Sequence, residues 1–148
     1  MKLYLLRHAD ALEGADDELR PLSDRGKAQC KQIGTFCKHA GIVFDAAYTS
    51  PLVRARKTAE LILDTTNLTR PIDVVESECL LNETSADAFC EWLDTLPGVK
   101  HVLMVGHLPS LAAGREAVCR SFEMRRFEPQ EAAKWDKAYE RLEKLLSR

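Results

Sequence analysis

Two histidines and two arginines lie just after apolar segments that are far apart in the chain. Arg7 and His8 follow the apolar run Leu3–Leu6, Arg54 follows a second apolar segment, and His107 follows a third. Guanidinium groups bind phosphate oxygens through paired hydrogen bonds and stay charged at any physiological pH. A neutral imidazole is a competent nucleophile near pH 7, and a second imidazole can donate a hydrogen bond or pass a proton. Brought together, these residues predict a phosphoryl-transfer site in which positive charge stabilises the transferring group.

The elements that must position these residues are four short apolar segments that alternate with helical patterns. This alternation predicts βαβ units around a largely parallel sheet. Ligands of open α/β sheets bind at the edge where the carboxyl ends of the strands meet. We therefore expect Arg7, His8, Arg54 and His107 to converge there. The predicted strands are Lys2–Arg7, Asp45–Thr49, Ile72–Val75 and Val102–Val105.

Helix start and stop signals separate these strands. Serine as N-cap with proline at the first helical position is a strong start signal, and it occurs at Ser50-Pro51. Glycine just beyond a periodic apolar pattern is a stop signal, and it occurs at Gly41. The predicted helices run from the cap Ser23 to Gly41, from Ser50 to about Thr66, from Thr84 or Ser85 onward, and from Ser110 to Arg120.

The whole pattern predicts a single domain over residues 1–148 with an α/β fold, a three-layer α/β/α sandwich. Its middle layer is a mainly parallel sheet of four to five strands, in which Ser121–Phe127 is a candidate edge strand. An extra C-terminal helix is expected over residues 129–147. Its apolar stripe packs either on the same subunit or on a partner, so monomer and homodimer both stay open.

Composition is that of an ordinary globular protein. Apolar residues make up 45% of the chain, charged residues 30%, and the net charge is -2. These values predict no membrane span and argue against binding to nucleic acid or to a membrane surface. The five cysteines contain no C-x-x-C pair, which favours buried thiols over a disulfide framework or a zinc site. The N-terminal apolar run is too short for a signal peptide, so a cytoplasmic location is expected.

A metal site is the chemical alternative to the phosphoryl-transfer site. His8, Asp10 and His107 carry atoms that bind divalent cations. Arg7 and Arg54 would repel a cation at the same place. We therefore expect neither a metal nor a cofactor.

Three ordered blocks of the sequence resemble the signatures of the histidine phosphatase (phosphoglycerate mutase-like) superfamily. They are Leu5-Leu6-Arg7-His8-Ala9-Asp10-Ala11, Ser50-Pro51-Leu52-Val53-Arg54-Ala55 with Thr58-Ala59, and Val105-Gly106-His107-Leu108-Pro109. The segment Arg20-Pro21-Leu22-Ser23 with Gly26 is more similar to the small SixA-like phosphohistidine phosphatases than to the larger mutases. The resemblance covers about residues 1–112.

The resemblance implies a role for each candidate residue. His8 would be the nucleophile and would carry a transient phosphoryl group, which water then hydrolyses. Arg7, Arg54 and His107 would surround the phosphoryl oxygens, and Arg20 would lie near the anion. The implied substrate is phosphohistidine on a signalling or phosphotransfer protein. A phosphatase of small phosphate esters and a catalytically weak phosphate- or phosphoprotein-binding module are the alternatives.

The acidic residues leave two questions open. Ester-cleaving members of the family commonly use a glutamate after the third strand as general acid, and Glu83 falls roughly there. It is either that acid or a solvent-facing carboxylate that favours the following helix N-terminus. A phosphohistidine needs a strong acid less, because its leaving imidazole can be protonated beforehand. The acidic loop between Asp10 and Arg20 is either simply exposed or borders the pocket and suits a basic protein surface.

Overall fold

The four predicted apolar segments form the strands of one sheet in the computed structural model, which describes residues 1–107. The strands are β1 (Lys2–Arg7), β2 (Ala46–Thr49), β3 (Val74–Glu76) and β4 (His101–Gly106). All neighbours pair in parallel, and the spatial order β1-β4-β2-β3 places β4 in the interior of the sheet. The predicted α/β fold with a parallel sheet is confirmed.

The register of the sheet aligns the carboxyl ends of three strands. Arg7 at the end of β1 pairs with Gly106 of β4, and Thr49 at the end of β2 pairs with Val105 of β4. The residues that come next in sequence therefore start from the same edge of the sheet, as predicted. These residues are His8, Ser50 and His107.

Helices connect the strands within the described part of the chain. They are α1 (Asp24–His39), α2 (Val53–Thr66), a short 3-10 helix (Glu78–Leu80) and α3 (Ala86–Thr95). The predicted serine caps of α1 and α3 are confirmed, because the hydroxyls of Ser23 and Ser85 each accept a hydrogen bond from a backbone N–H in the first turn. Gly41 follows α1 with a φ of 69°, a conformation that glycine adopts readily, so the predicted helix stop is confirmed as well.

The helices cover both faces of the sheet, because successive side chains of β4 point to opposite faces. Leu103 and Val105 belong to the core beneath α1 and α2. Val102 and Met104 belong to a second core, which they share with Phe89 of α3. The predicted three-layer α/β/α sandwich is confirmed.

The prediction that Ser50 and Pro51 begin α2 is wrong. The helix begins at Val53, and its N-cap residue makes no side-chain hydrogen bond. Ser50 still belongs to the sheet edge, since its backbone N–H donates to the carbonyl oxygen of Val105 at 3.1 Å. The N–H of Val53 donates to the carbonyl oxygen of Glu18, so a distant loop takes the place of a capping side chain. The hydroxyl of Ser50 is thereby left for another partner.

Three predicted elements lie outside the described residues. They are the short helix Ser110–Arg120, the edge strand Ser121–Phe127 and the C-terminal helix over residues 129–147. Within residues 1–107, no helix combines the length and the apolar character that a bilayer crossing requires.

The cysteines of the described part are free thiols. Cys30 and Cys37 are buried, and burial raises the pKa of each thiol to about 11, so both are protonated and unreactive at neutral pH. Cys79 and Cys90 are half-buried, and Cys119 lies outside the described residues. The expectation of buried thiols therefore holds for the two cysteines of α1.

Candidate active site

The backbone around His8 is fixed by hydrogen bonds to two elements. The N–H of His8 donates to the carbonyl oxygen of Gly106 at the end of β4, at 3.0 Å. The N–H of Ala9 donates to the hydroxyl of Thr58 in α2 at 3.0 Å, and this hydroxyl donates to the carbonyl oxygen of Arg54 at 2.7 Å. Ala9 and Thr58 are fully buried. This link holds His8 against the helix that carries Arg54.

The chain just after His8 packs directly against the first turn of α1. A Cβ atom at Gly26 would lie 2.0 Å from the carbonyl oxygen of Asp10, so only glycine permits this approach. The Asp10 carboxylate accepts a hydrogen bond from the hydroxyl of Ser23, the N-cap of α1. Asp10 is therefore engaged with α1, and no three potential metal-ligating side chains within residues 1–107 come together.

The two nitrogens of the His8 imidazole lie in different environments. Its Nδ1 lies 2.7 Å from the carbonyl oxygen of Ala9, and a carbonyl oxygen only accepts, so Nδ1 carries the proton. In the neutral ring the lone pair is then on Nε2. Burial lowers the pKa of His8 below its ordinary 6.5, and the charges of Arg54, Arg7 and Arg20 lower it further, against the opposing hydrogen bond to Ala9. The ring is therefore neutral at pH 7, with Nε2 unprotonated.

His107 is a second neutral imidazole beside His8. The two ring centroids are 5.0 Å apart. His107 is 3% exposed, and its Nε2 lies 2.7 Å from Oγ of Ser50, which is fully buried. Burial lowers the pKa of His107 to about 4, and the neighbouring His8 and Arg54 contribute to this effect. The ring is therefore neutral at pH 7, with one nitrogen as donor and the other as acceptor, and its hydrogen bond with the Ser50 hydroxyl fixes its orientation.

Arg54 is the buried cation of the site. It is 7% exposed, and its guanidinium donates from Nη1 to the carbonyl oxygen of Asp17 at 2.6 Å and from Nη2 to the Asp17 carboxylate at 3.1 Å. Its Nε is also buried and has no hydrogen-bond partner among the described residues. Buried donors nearly always have a partner, so this unpartnered N–H is unusual among the described residues.

The other two predicted arginines lie at the margin of the site. Arg7 ends β1 with an exposed side chain, and its charge lowers the pKa of both His8 and His107. The guanidinium of Arg20 donates to the Asp17 carboxylate at 3.1 Å, so Asp17 joins Arg20 to Arg54. Hydrogen bonds from Arg20 and Arg54 hold the pKa of Asp17 below its ordinary value.

Arg54 and His107 line a cavity of about 570 Å³, a size that suits a small ligand or a side chain. Glu83, the candidate acid, lies on the wall of the same cavity. The structure therefore places His8 beside His107 and puts Arg54, His107 and Glu83 on the wall of one cavity.

A comparison with protein families agrees with this geometry. Residues 3–89 match the family described as the histidine phosphatase superfamily (branch 1). The chain belongs to the histidine phosphatase superfamily. This membership confirms the family that the three sequence blocks indicate.

The relatives of this histidine phosphatase include characterised and uncharacterised proteins. The phosphohistidine phosphatase SixA of Escherichia coli is 30% identical over 111 residues, which are 74% of this chain and 68% of that protein. An uncharacterised protein of Picosynechococcus is 38% identical over 124 residues, 80% of this chain and 73% of that protein. A structure of the protein histidine phosphatase SixA complexed with tungstate superimposes with a TM-score of 0.69 at 29% identity, covering 75% of this chain and 72% of that one. The predicted SixA-like branch, and with it a phosphatase, is confirmed.

Sequence reasoning missed three residues that position this site. Ser50 is read as a helix cap from its serine-proline pair, whereas its hydroxyl bonds to His107. Thr58 appears only as part of a motif, and Asp17 is one of several carboxylates in an acidic loop. The one usable signal is the place of Ser50 directly after β2, at the same edge of the sheet as His8 and His107.

Proposed function

We propose that this phosphatase removes phosphate from phosphohistidine on a signalling or phosphotransfer protein, through a covalent intermediate on His8. One observation carries the proposal: Nδ1 of His8 is tied to a carbonyl oxygen, which leaves Nε2 as a lone-pair donor beside His107 and Arg54. The similarity to a phosphohistidine phosphatase supports the choice of substrate.

In the first step, Nε2 of His8 attacks phosphorus and forms a P–N bond. The bond between phosphorus and the substrate nitrogen breaks, and its electron pair stays on that nitrogen. His8 becomes a phosphoimidazolium that keeps its proton on Nδ1, and the carbonyl oxygen of Ala9 stabilises the new positive charge through the existing hydrogen bond. Arg54 and His107 donate hydrogen bonds to the phosphoryl oxygens.

In the second step, the oxygen of a water molecule attacks phosphorus from the face that the leaving group has vacated. The P–N bond breaks and its electron pair returns to Nε2 of His8. One proton of the water passes to solvent, and phosphate leaves. Since Arg54 is a permanent cation, it stabilises charge on the phosphoryl oxygens in both steps.

A second candidate substrate is a small phosphate ester, because Glu83 lies on the cavity wall where it can protonate a leaving alkoxide. Glu83 is exposed. A phosphohistidine whose leaving ring already holds a proton does not need this acid. The two substrates are therefore expected to differ in their dependence on Glu83.

Turnover of p-nitrophenyl phosphate in EDTA, followed by a comparison of a phosphohistidine protein with phosphoglycerate and sugar phosphates, tests the proposal. We expect turnover in EDTA, a preference in kcat/KM for the phosphohistidine protein, and no turnover by His8→Ala. Glu83→Gln should leave phosphohistidine hydrolysis within about twofold and reduce ester hydrolysis, because acid catalysis contributes to the ester alone. A preference for esters would favour the second candidate, and tight phosphate binding without turnover would indicate a binding module.

A further inference from the structure

The cavity that holds Arg54 and His107 has an acidic mouth, formed by Asp17, Glu18, Glu78 and Glu83. All four side chains are exposed and line the cavity. Two of them come from the loop before α1 and two from the segment around the 3-10 helix, so the acidic mouth is built by separate parts of the chain.

Three carboxylates of the acidic mouth have no cationic partner within residues 1–107. Asp17 is paired with Arg20 and Arg54, whereas Glu18, Glu78 and Glu83 form no ion pair with any of residues 1–107. Their negative charge therefore faces whatever enters the cavity.

The inside of the same cavity has the opposite sign. Arg54 is more than nine-tenths buried, and its Nε has no partner among the described residues. This buried donor marks the place for an anionic group independently of the acidic mouth. A ligand that complements both Arg54 and the acidic mouth carries a phosphoryl group, which binds inside the cavity, and positively charged groups next to it, which lie at the mouth.

We infer that the acidic mouth binds a positively charged protein segment, so that this phosphatase selects phosphohistidine with basic flanking residues. The inference rests on the proposed function and specifies the sequence context of its substrate. Carboxylates around the mouth attract lysine and arginine side chains and repel acidic ones. They also repel small esters that carry a second anionic group outside the reacting phosphate.

Two phosphohistidine peptides of equal length, one flanked by lysines and one by glutamates, test this selection. Exposed ion pairs are individually weak, so two or three of them are expected to give a roughly tenfold preference in kcat/KM for the lysine-flanked peptide. The preference should shrink as salt is added, because salt screens exposed charges. The double variant Glu18→Gln/Glu78→Gln should reduce it several-fold while p-nitrophenyl phosphate turnover is retained.

The matched control is Asp64→Asn/Asp94→Asn, which removes the same charge. Both residues are exposed, lie in the last turns of α2 and α3, and do not line the cavity. We expect the control to keep the wild-type preference. Equal kcat/KM for the two peptides, or an equal loss of preference in both double variants, would overturn the inference.

Failure of the proposed function gives a different result. In that case neither peptide is hydrolysed, although p-nitrophenyl phosphate is. The two peptides then serve as inhibitors of p-nitrophenyl phosphate turnover. A lower inhibition constant for the lysine-flanked peptide would still support the acidic mouth, and equal constants would overturn it.

Discussion

Removal of the Ser50 hydroxyl is expected to slow catalysis by about 5- to 150-fold in kcat/KM. Ser50 is fully buried, and its Oγ lies 2.7 Å from Nε2 of the buried His107. Ser50→Ala leaves that nitrogen without this partner, and an unsatisfied buried polar group costs about 1–3 kcal/mol. Since about 1.4 kcal/mol corresponds to a tenfold change in rate, this cost gives the stated range if the bond is needed in the transition state.

The assay is p-nitrophenyl phosphate hydrolysis at several pH values, together with thermal unfolding. Ser85→Ala is the matched control, because it removes the same atom from a hydroxyl that caps α3. The control should lose about 1 kcal/mol of stability and keep its activity within twofold. A positioning role also predicts that the pKa of His107, followed by NMR, changes in Ser50→Ala and not in the control. Activity within twofold of wild type in Ser50→Ala would refute the reasoning.

Three further predictions follow from the charges of the site. Arg54→Ala should reduce kcat/KM by about 100-fold or more, because it removes the buried guanidinium, whereas Arg56→Ala, on the exposed face of the same helix, should change it less than twofold. The acid limb of the kcat/KM profile should lie below 6.5, since the pKa of His8 is lowered and only its neutral form attacks; a limb centred above 6.5 would contradict this assignment. Because the folded pKa of His107 is about 4 against 6.5 in the unfolded chain, the unfolded chain takes up the proton first. The free energy of unfolding should therefore fall as pH drops through this range, by about 3 kcal/mol from this residue. Denaturant titrations of His107→Gln should show a smaller fall, and an identical fall would show that His107 is solvated in the folded state.

Much of the fold follows from local sequence signals. The apolar runs of β1 and β4 are continuous, so the sequence pattern alone places both strands, although β4 is buried along most of its length and β1 is mainly half-buried. The predicted third strand, Ile72–Val75, is displaced to Val74–Glu76, because pairing with Ala47–Thr49 of β2 sets its register. A short edge strand of this kind contains too few apolar residues to fix its own ends.

The sequence predicts those site residues that directly follow a strand of the sheet. His8 and His107 follow strands that are neighbours in the sheet, so topology brings them together. The partners of Ser50, Thr58 and Asp17 are 57, 49 and 37 residues away in sequence, and such contacts are set by packing. Local sequence patterns do not encode these long-range contacts. For this reason the serine-proline signal predicts a helix cap at Ser50, whereas its hydroxyl bonds to His107.

Trapping the phosphorylated enzyme tests the role of His8 most directly. Rapid mixing with labelled substrate and quenching in alkaline denaturant preserves a phosphoramidate, and peptide mass spectrometry locates it. We expect the label on His8, none in His8→Ala, and an unchanged yield in His39→Ala, which removes an exposed imidazole at the far end of α1. Label on another residue, or full turnover by His8→Ala, would contradict the account.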